Sequence, residues 1–193
     1  MSGSQILETA RLRLRPYEES DIPDLVALIG VKKVAATTLR IPHPYTEQDA
    51  RTFLTAITGS ADIRRAVTLR DGGELIGGIG LAVEGAYQRA ELGYWLGVSY
   101  WGRGYATEAA QEMVRFGFEQ IGLHRIFASH FAHNPASGRV LRKLGMRYEG
   151  CQRGHIVKWG KPIDLELYGI LRSEWQSRVK SNEHGSAGQH LPE

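Results

Sequence analysis

Residues 91–121 carry the pattern that most restricts the fold. Glu91 to Val98 reads as a strand containing Gly93 and Gly97, and the turn Trp101-Gly102-Arg103-Gly104-Tyr105 follows it. Ala106, Ala109, Ala110, Met113, Val114, Gly117 and Ile121 then recur at helical spacing. A strand that feeds a helix through a glycine turn must lay the helix's apolar face back on a sheet, which sets an α/β class. Such a turn is also a ready anion site. Its backbone N–H groups converge, and the helix contributes about half a positive charge at its N-terminus. Gly102 and Gly104 remove side chains from the approach, and Thr107 adds a hydroxyl in the first turn. A nucleoside triphosphate loop would need Lys-Ser/Thr after its last glycine, where Tyr105-Ala106 stands. A dinucleotide fingerprint would need three glycines and an open parallel sheet, and neither is evident. From the residues alone, a diphosphate ligand and a purely structural turn both remain open.

The rest of the chain surrounds this unit with an alternating order. Leu12 and Leu14 alternate with Arg11, Arg13 and Arg15, a half-buried strand ended by Pro16. Asp21 is placed to cap a helix starting at Ile22-Pro23. Ile41-Pro42-His43-Pro44 cannot be regular structure. Thr46-Glu47-Gln48-Asp49 predicts a variant capping box and a helix to about Ile57. Ala66–Leu69 and Leu75–Val83 flank Asp71-Gly72-Gly73 as a hairpin, and Glu91–Val98 is the third strand of that meander. His124–Phe131 is a strand, Asn134-Pro135 opens a short helix closed by Gly145, and Met146–Lys158 with Asp164–Leu171 forms a last hairpin. The expected order is β-α-α-β-β-β-α-β-α-β-β, an α/β (α+β) domain around a mostly antiparallel sheet of about seven strands with about four helices. It spans residues 8–175. Residues 176–193 form a polar extension, and Ser181–Glu193 is expected to be frayed.

Composition bounds the function classes. Apolar residues are 42% and charged residues 23% of the chain, as in ordinary globular proteins. No apolar run reaches the ~20 residues of a membrane span, and the first residues carry no secretory pattern. Cys151 is the single cysteine, so no internal disulfide or cysteine-pair zinc site can form. His130 and His133 lack an evident third ligand, so no metal site is expected. A reduced, cytoplasmic protein follows as the expectation. The net charge of +3 is far below the bias of a dedicated nucleic-acid binder. Trp95, Tyr100 and Trp101 lack the basic interleaving of a base-stacking platform. Neither a nucleic-acid nor a membrane partner is expected.

Trp101-Gly-Arg-Gly-Tyr-Ala106-Thr107-Glu108-Ala109 resembles the acetyl-CoA diphosphate loop of the GNAT N-acetyltransferases. Glu91-Leu-Gly-Tyr-Trp-Leu-Gly97 before it, and Asn134-Pro-Ala-Ser137 and Lys143-Leu-Gly-Met-Arg-Tyr-Glu-Gly150 after it, match in order. Leu12-Arg-Leu-Arg-Pro16 and Asp164 to Trp175 resemble the branch containing the ribosomal-protein N-terminal acetyltransferases (RimJ/RimL type). Together the matches cover about residues 8–175. One departure is Trp101, where the family usually has Gln or Arg.

The resemblance implies a splayed sheet with the pantetheine arm of acetyl-CoA between the Glu91–Val98 and His124–Phe131 strands. Backbone groups at Leu96 and Val98 would pair with its amides, and the Val98 N–H is a candidate oxyanion donor. Arg103, Gly104, Tyr105, Ala106 and Thr107 would hold the diphosphate. Asn134 matches the family residue that bonds the pantetheine arm, although Asn before Pro is equally a helix cap. Ser137 matches the residue proposed to protonate the departing thiolate. Arg139, Arg142 and Lys143 share one helix face, either a 3′-phosphate site or a solvated surface. For the general base the candidates are His155, Glu91 and Glu149. The branch sometimes carries Glu at the position of Ile156, so His155 would need a register shift to face the site. Tyr45, His43 and Trp159 are candidates for lining the acceptor pocket. Cys151 is expected to be a small buried residue.

How much base is required depends on the amine. An α-amine of pKa ~8 is about one-tenth neutral at pH 7, costing ~1.4 kcal/mol, whereas lysine at ~10.4 costs ~4.6 kcal/mol. A site without a strong base is thus better matched to a protein N-terminal α-amine, attacked directly in a ternary complex. The alternatives are a small amine (polyamine or antibiotic) and a silent acyl-CoA sensor. The chain is expected as a monomer or a homodimer paired through exposed strands of the last hairpin.

Overall fold

A computed structural model describes residues 5–186. Leu7–Glu8 (β1) and Leu12–Arg15 (β2) open the sheet, with Leu7, Leu12 and Leu14 buried. Ile22–Ile29 forms α1 with Pro23 in its first turn. Asp21 does not cap that helix by its side chain. It is buried instead, accepting from Arg15 Nη1 and Nη2 at 2.8 and 2.6 Å and from the Glu18 N–H at 2.8 Å. The ion pair takes the carboxylate oxygens that a cap would have used. A single turn, Lys32–Ala35 (α2), was not expected from the sequence. Glu47–Ile57 (α3) starts where the capping box placed it, Thr46 Oγ1 accepting from the Asp49 N–H at 3.2 Å and Asp49 Oδ2 from the Thr46 N–H at 2.8 Å.

Ile63–Leu69 (β3), Leu75–Glu84 (β4) and Arg89–Leu96 (β5) form the antiparallel meander. Val98 lies beyond the strand, in a 3₁₀ turn over Val98–Tyr100. Strand pairing ends once the Gly97 N–H has bonded Ile76 O at 2.9 Å, after which the chain turns so that the Tyr100 N–H reaches Gly97 O. Tyr105–Phe116 (α4) runs into a π-helical turn, Gly117–Ile121, and crosses to Arg125–Phe131 (β6). Pro135–Lys143 (α5), Arg147–Lys158 (β7), Lys161–Leu171 (β8) and Arg172–Ser186 (α6) complete the described residues.

Among the described residues the sheet has eight strands in the order β1-β2-β3-β4-β5-β6-β8-β7, antiparallel throughout except β5 with β6. The extra strand relative to expectation is β1, too short to show an alternation. The expected polar extension is helical as far as Ser186. It is anchored where Glu174 accepts the Leu171 N–H at 3.0 Å and where Trp175 packs on Phe118, ring centroids 5.4 Å apart. The remainder of the expected frayed end, 187–193, lies outside the described residues. One core packs α4 and α5 on one sheet face, through Met113, Val114, Phe116 and Leu141 against Leu81, Leu92, Ile126 and Ile170. A second packs α1 and α3 on the other face, through Leu25, Ile29 and Ala50 against Ala66 and Leu75.

The parallel pair β5–β6 holds for three positions, Arg89↔Arg125, Ala90↔Ile126 and Glu91↔Phe127. Past Glu91 the two strands separate. Leu92–Leu96 and Ala128–Phe131 therefore face each other across an open wedge at the centre of the sheet. The glycine turn lies just past the free end of β5.

Candidate active site

The turn after β5 is built to expose amides. Gly102 and Gly104 have φ of 75° and 84°, the left-handed region that side-chain-bearing residues avoid. The first intrahelical bond of α4 runs from the Glu108 N–H to Gly104 O at 3.1 Å. Among the described residues, no N–H from Gly102 through Thr107 finds a protein acceptor. Such a run, at the positive end of a twelve-residue helix, fits a diphosphate. Trp101 stiffens the turn. Its ring N–H donates to Leu96 O at 2.8 Å, tying the turn back to the strand end. Arg103 is exposed, its guanidinium 6.0 Å from the Tyr100 ring. Tyr105 and Ala106 pack on the core beneath.

The wedge fits an extended arm. The Leu96 side chain is buried in the core, while the Val98 N–H has no backbone partner among the described residues. Asn134 caps α5, its Oδ1 accepting from the Ser137 N–H at 3.4 Å. Ser137, one turn into α5, is joined to a residue the sequence reading had not singled out. Tyr94 Oη on β5 lies 2.7 Å from Ser137 Oγ, and either hydroxyl can donate. Burial pushes the Tyr94 phenol up to about 12, against the opposing effect of the Ser137 hydrogen bond. The available signal was alternation, which puts Tyr94 on the same β5 face as Leu92 and Leu96. Arg139, Arg142 and Lys143 are all exposed on α5. Arg142 is partly committed, donating to Tyr168 Oη at 3.1 Å.

The other sheet face holds a cavity of about 390 Å³ that reaches the mouth of the wedge. It gathers all three candidate bases, Glu91, Glu149 and His155. Two irregularities in the β7–β8 pairing accompany this. One extra β7 residue, Glu149, sits between the Tyr148↔Tyr168 and Gly150↔Leu167 pairs. Between Gln152↔Leu165 and Ile156↔Ile163 the register shifts again. His155 falls in the unpaired stretch 153–155 between those two pairs, beside Gly154 at φ 56°, and from there it lines the cavity. Glu149 is held by Arg125, with one bond of 2.7 Å between Nη1 and Oε1 and a second from Nη2 to Oε2. A Cβ on Gly169 beneath them would stand 2.5 Å from Arg125 Nη2 and 2.6 Å from Glu149 Oε1, so the ends of these two flexible side chains would have to move apart. Glu91 pairs with Arg40 at 3.3 Å. Among the described residues His155 has neither hydrogen bond nor ion pair, and it is exposed.

Segment 36–41 rims this cavity through Leu39 and Arg40. It is held by Lys158, whose ammonium donates to the carbonyl oxygens of Thr38, Leu39 and Ile41. Desolvation lowers the Lys158 pKa from its ordinary value. The other expected pocket residues lie off the cavity. Tyr45 is buried in the core under α1 and α3, and His43 packs edge-on to Trp159 at 6.2 Å. Cys151 is exposed rather than buried, because β7 is the outer strand of the sheet. His130 is buried against Tyr168 and His133 bonds Ala36 O, so the two imidazoles serve different surroundings. A larger cavity, about 810 Å³, lies between α3, residues 57–65 and Pro16–Glu19, and touches none of the candidate residues.

A profile of the acetyltransferase (GNAT) domain matches residues 11–147. The chain belongs to the GNAT acetyltransferase family. This N-acetyltransferase is 34% identical over 171 residues to the uncharacterized N-acetyltransferase YoaA of Bacillus subtilis, covering 86% of this chain and 97% of that one. It is 30% identical over 93 residues to the Escherichia coli [ribosomal protein uS5]-alanine N-acetyltransferase, 48% of each chain. A GNAT acetyltransferase structure from Bacillus anthracis superposes with a TM-score of 0.80 at 29% identity, covering 88% of this chain and 99% of that one. A Vibrio cholerae spermidine N-acetyltransferase in complex with CoA and spermine has the same fold, TM-score 0.77 at 20% identity over 87% and 99%.

Proposed function

We propose that this GNAT enzyme uses acetyl-CoA to acetylate the N-terminal α-amine of a protein or peptide by direct attack in a ternary complex. Acetyl-CoA supplies the activated acetyl thioester. The unpartnered amides of 102–107 bind its diphosphate, aided by Arg103. Leu96, Val98 and Asn134 bind the pantetheine arm along the wedge, and the Val98 N–H stabilises negative charge on the carbonyl oxygen. Arg142 and Lys143 attract the 3′-phosphate. Tyr94 donates to Ser137 Oγ, which leaves the serine's own proton free for the departing sulfur. Thiols of pKa ~8.5 leave readily, so a hydrogen bond is enough.

The acceptor enters from the opposite face. The observation that carries the α-amine reading is the charge pairing in its cavity. Each carboxylate there is matched by an arginine, Glu91 by Arg40 and Glu149 by Arg125. A polyamine carrying several positive charges would find no free carboxylate among these and would meet Arg40, Arg89 and Arg125. An α-amine, already about one-tenth neutral at pH 7, needs only a weak acceptor for its proton, and His155 is the unpaired group available.

The test is CoA release measured against peptides with free N-termini, N-blocked lysine peptides, spermidine and aminoglycosides. Faster turnover of free N-termini is expected. Preference for spermidine or an antibiotic would establish the small-amine reading. Acetyl-CoA binding without turnover of any acceptor would establish a sensor.

A further inference from the structure

The polar groups of the segment Thr9-Ala10-Arg11, just before β2, converge on the glycine turn and the first turn of α4. Arg11 Nη1 donates to the carbonyl oxygen of Arg103 at 3.1 Å. Arg11 Nε and Nη2 both bond Glu108 Oε2 at 2.7 Å. Glu108 Oε1 accepts from the Arg11 N–H at 2.8 Å and from Thr9 Oγ1 at 2.6 Å. The Arg11 guanidinium also lies 4.6 Å from the Tyr105 ring centroid. These contacts bridge more than ninety positions of chain, 97 between Arg11 and Glu108.

Two physical needs of an amide cradle are met here. The carbonyls of a turn that presents its N–H groups to a ligand can be fixed in place by side-chain donors. Arg11 supplies one at residue 103, between the two left-handed glycines. A carboxylate in the first turn of α4 would also repel a diphosphate bound at that helix end. Four donors hold the Glu108 carboxylate back against the segment before β2, and two of them belong to the Arg11 guanidinium, which cancels its charge.

We infer that Thr9 and Arg11 are positioning residues for the diphosphate loop, fixing its carbonyl face and neutralising Glu108. This rests on reading 101–107 as the diphosphate site. Burial alone would raise the Glu108 carboxyl, but the Thr9 and Arg11 hydrogen bonds hold it below its ordinary value. It is therefore charged at neutral pH, and it becomes an uncompensated anion beside the loop once Arg11 is removed.

The experiment compares Arg11→Ala, Arg11→Lys, Thr9→Val, Glu108→Gln and the pair Arg11→Ala/Glu108→Gln. CoA binding is measured by calorimetry. Steady-state kinetics use acetyl-CoA and acetyl-pantetheine, which lacks the diphosphate. Arg11→Ala should weaken CoA about tenfold and raise KM for acetyl-CoA equally, with kcat and the KM for acetyl-pantetheine within about twofold. Arg11→Lys and Thr9→Val, which keep the fold with partial contacts, should show smaller losses of the same kind. The double variant should recover part of the loss, because the orphaned charge is gone. Wild type that binds CoA, with Arg11→Ala binding it equally well, would overturn the inference alone. So would equal losses with both thioesters, the mark of a merely structural role. Wild type that fails to bind CoA would overturn the diphosphate reading and this inference with it.

Discussion

Replacing Tyr94 by Phe removes one oxygen and keeps the ring packed on the α4–α5 core. The lost interactions are the 2.7 Å hydroxyl pair with Ser137 and a long 3.4 Å bond to the Ser137 carbonyl oxygen. A neutral hydrogen bond of this kind is worth about 0.5–1.5 kcal/mol net. For a chain of this size, 1 kcal/mol lowers Tm by about 2–4 °C, so the variant should remain folded. In the proposed mechanism the serine retains its proton but loses the donor that makes it more acidic. The same energy range predicts a fall in kcat of about two- to tenfold. Ser137→Ala removes the acid itself and should cost more, near the lower end of general-acid effects at about 10²-fold, because thiolate leaves easily. Burial holds the Tyr94 phenol near 12, so it stays protonated, and the ratio of variant to wild type should be flat from about pH 6 to 9. The assay is CoA release with a thiol reagent at saturating acetyl-CoA. The decisive comparison is the double variant, which should be no slower than Ser137→Ala alone, because Tyr94 acts only through the serine. Fully additive losses, or a change confined to the KM for acetyl-CoA, would refute the reasoning.

His155→Ala should lower kcat/KM for an N-terminal peptide about tenfold or more while acetyl-CoA binding is unchanged, and rescue of rate by raised pH would mark it as the proton acceptor. Gly169→Ala places a Cβ within 2.6 Å of the ends of both Arg125 and Glu149; displacing these flexible, partly exposed side chains should lower Tm in a melt by at most about 4 °C, the effect of up to about 1 kcal/mol. Lys158→Met frees segment 38–41 from three carbonyl contacts and should raise KM for the acceptor without altering CoA affinity by calorimetry. Acid unfolding should also report on Glu108. Its carboxyl is depressed in the folded protein, so its stabilising contribution is complete above the ordinary value of 4.5 and is lost as pH falls through the lower folded value. Glu108→Gln should therefore flatten the stability curve below that point and leave its slope at neutral pH unchanged.

Local chemistry was enough to read a large part of this protein. The capping box at Thr46, the Gly72-Gly73 hairpin, the Asn134-Pro135 helix start and the strand–glycine turn–helix unit each depend on neighbours a few residues apart. Steric and hydrogen-bonding rules act at that range, so the residues alone determined an α/β domain with exposed amides at 102–107. The ordered motifs carried the family resemblance for the same reason. What only the tertiary structure decided are contacts between distant segments. From sequence Asp21 is expected to cap α1, but the fold brings the partly buried Arg15 guanidinium at the end of β2 against its buried carboxylate, which it holds instead. Tyr94 meets Ser137 only because α5 folds over β5, and Thr9 and Arg11 meet Glu108 only because β2 begins beside α4. Glu149 and His155 reach one cavity through offsets in the pairing of β7 with β8, and no periodicity within either strand encodes an offset between them. A strand's own pattern dictates which of its faces is apolar. Which residue of another strand stands opposite is set by the packing of the whole sheet, and there the cavity acquired its paired charges and its one free imidazole.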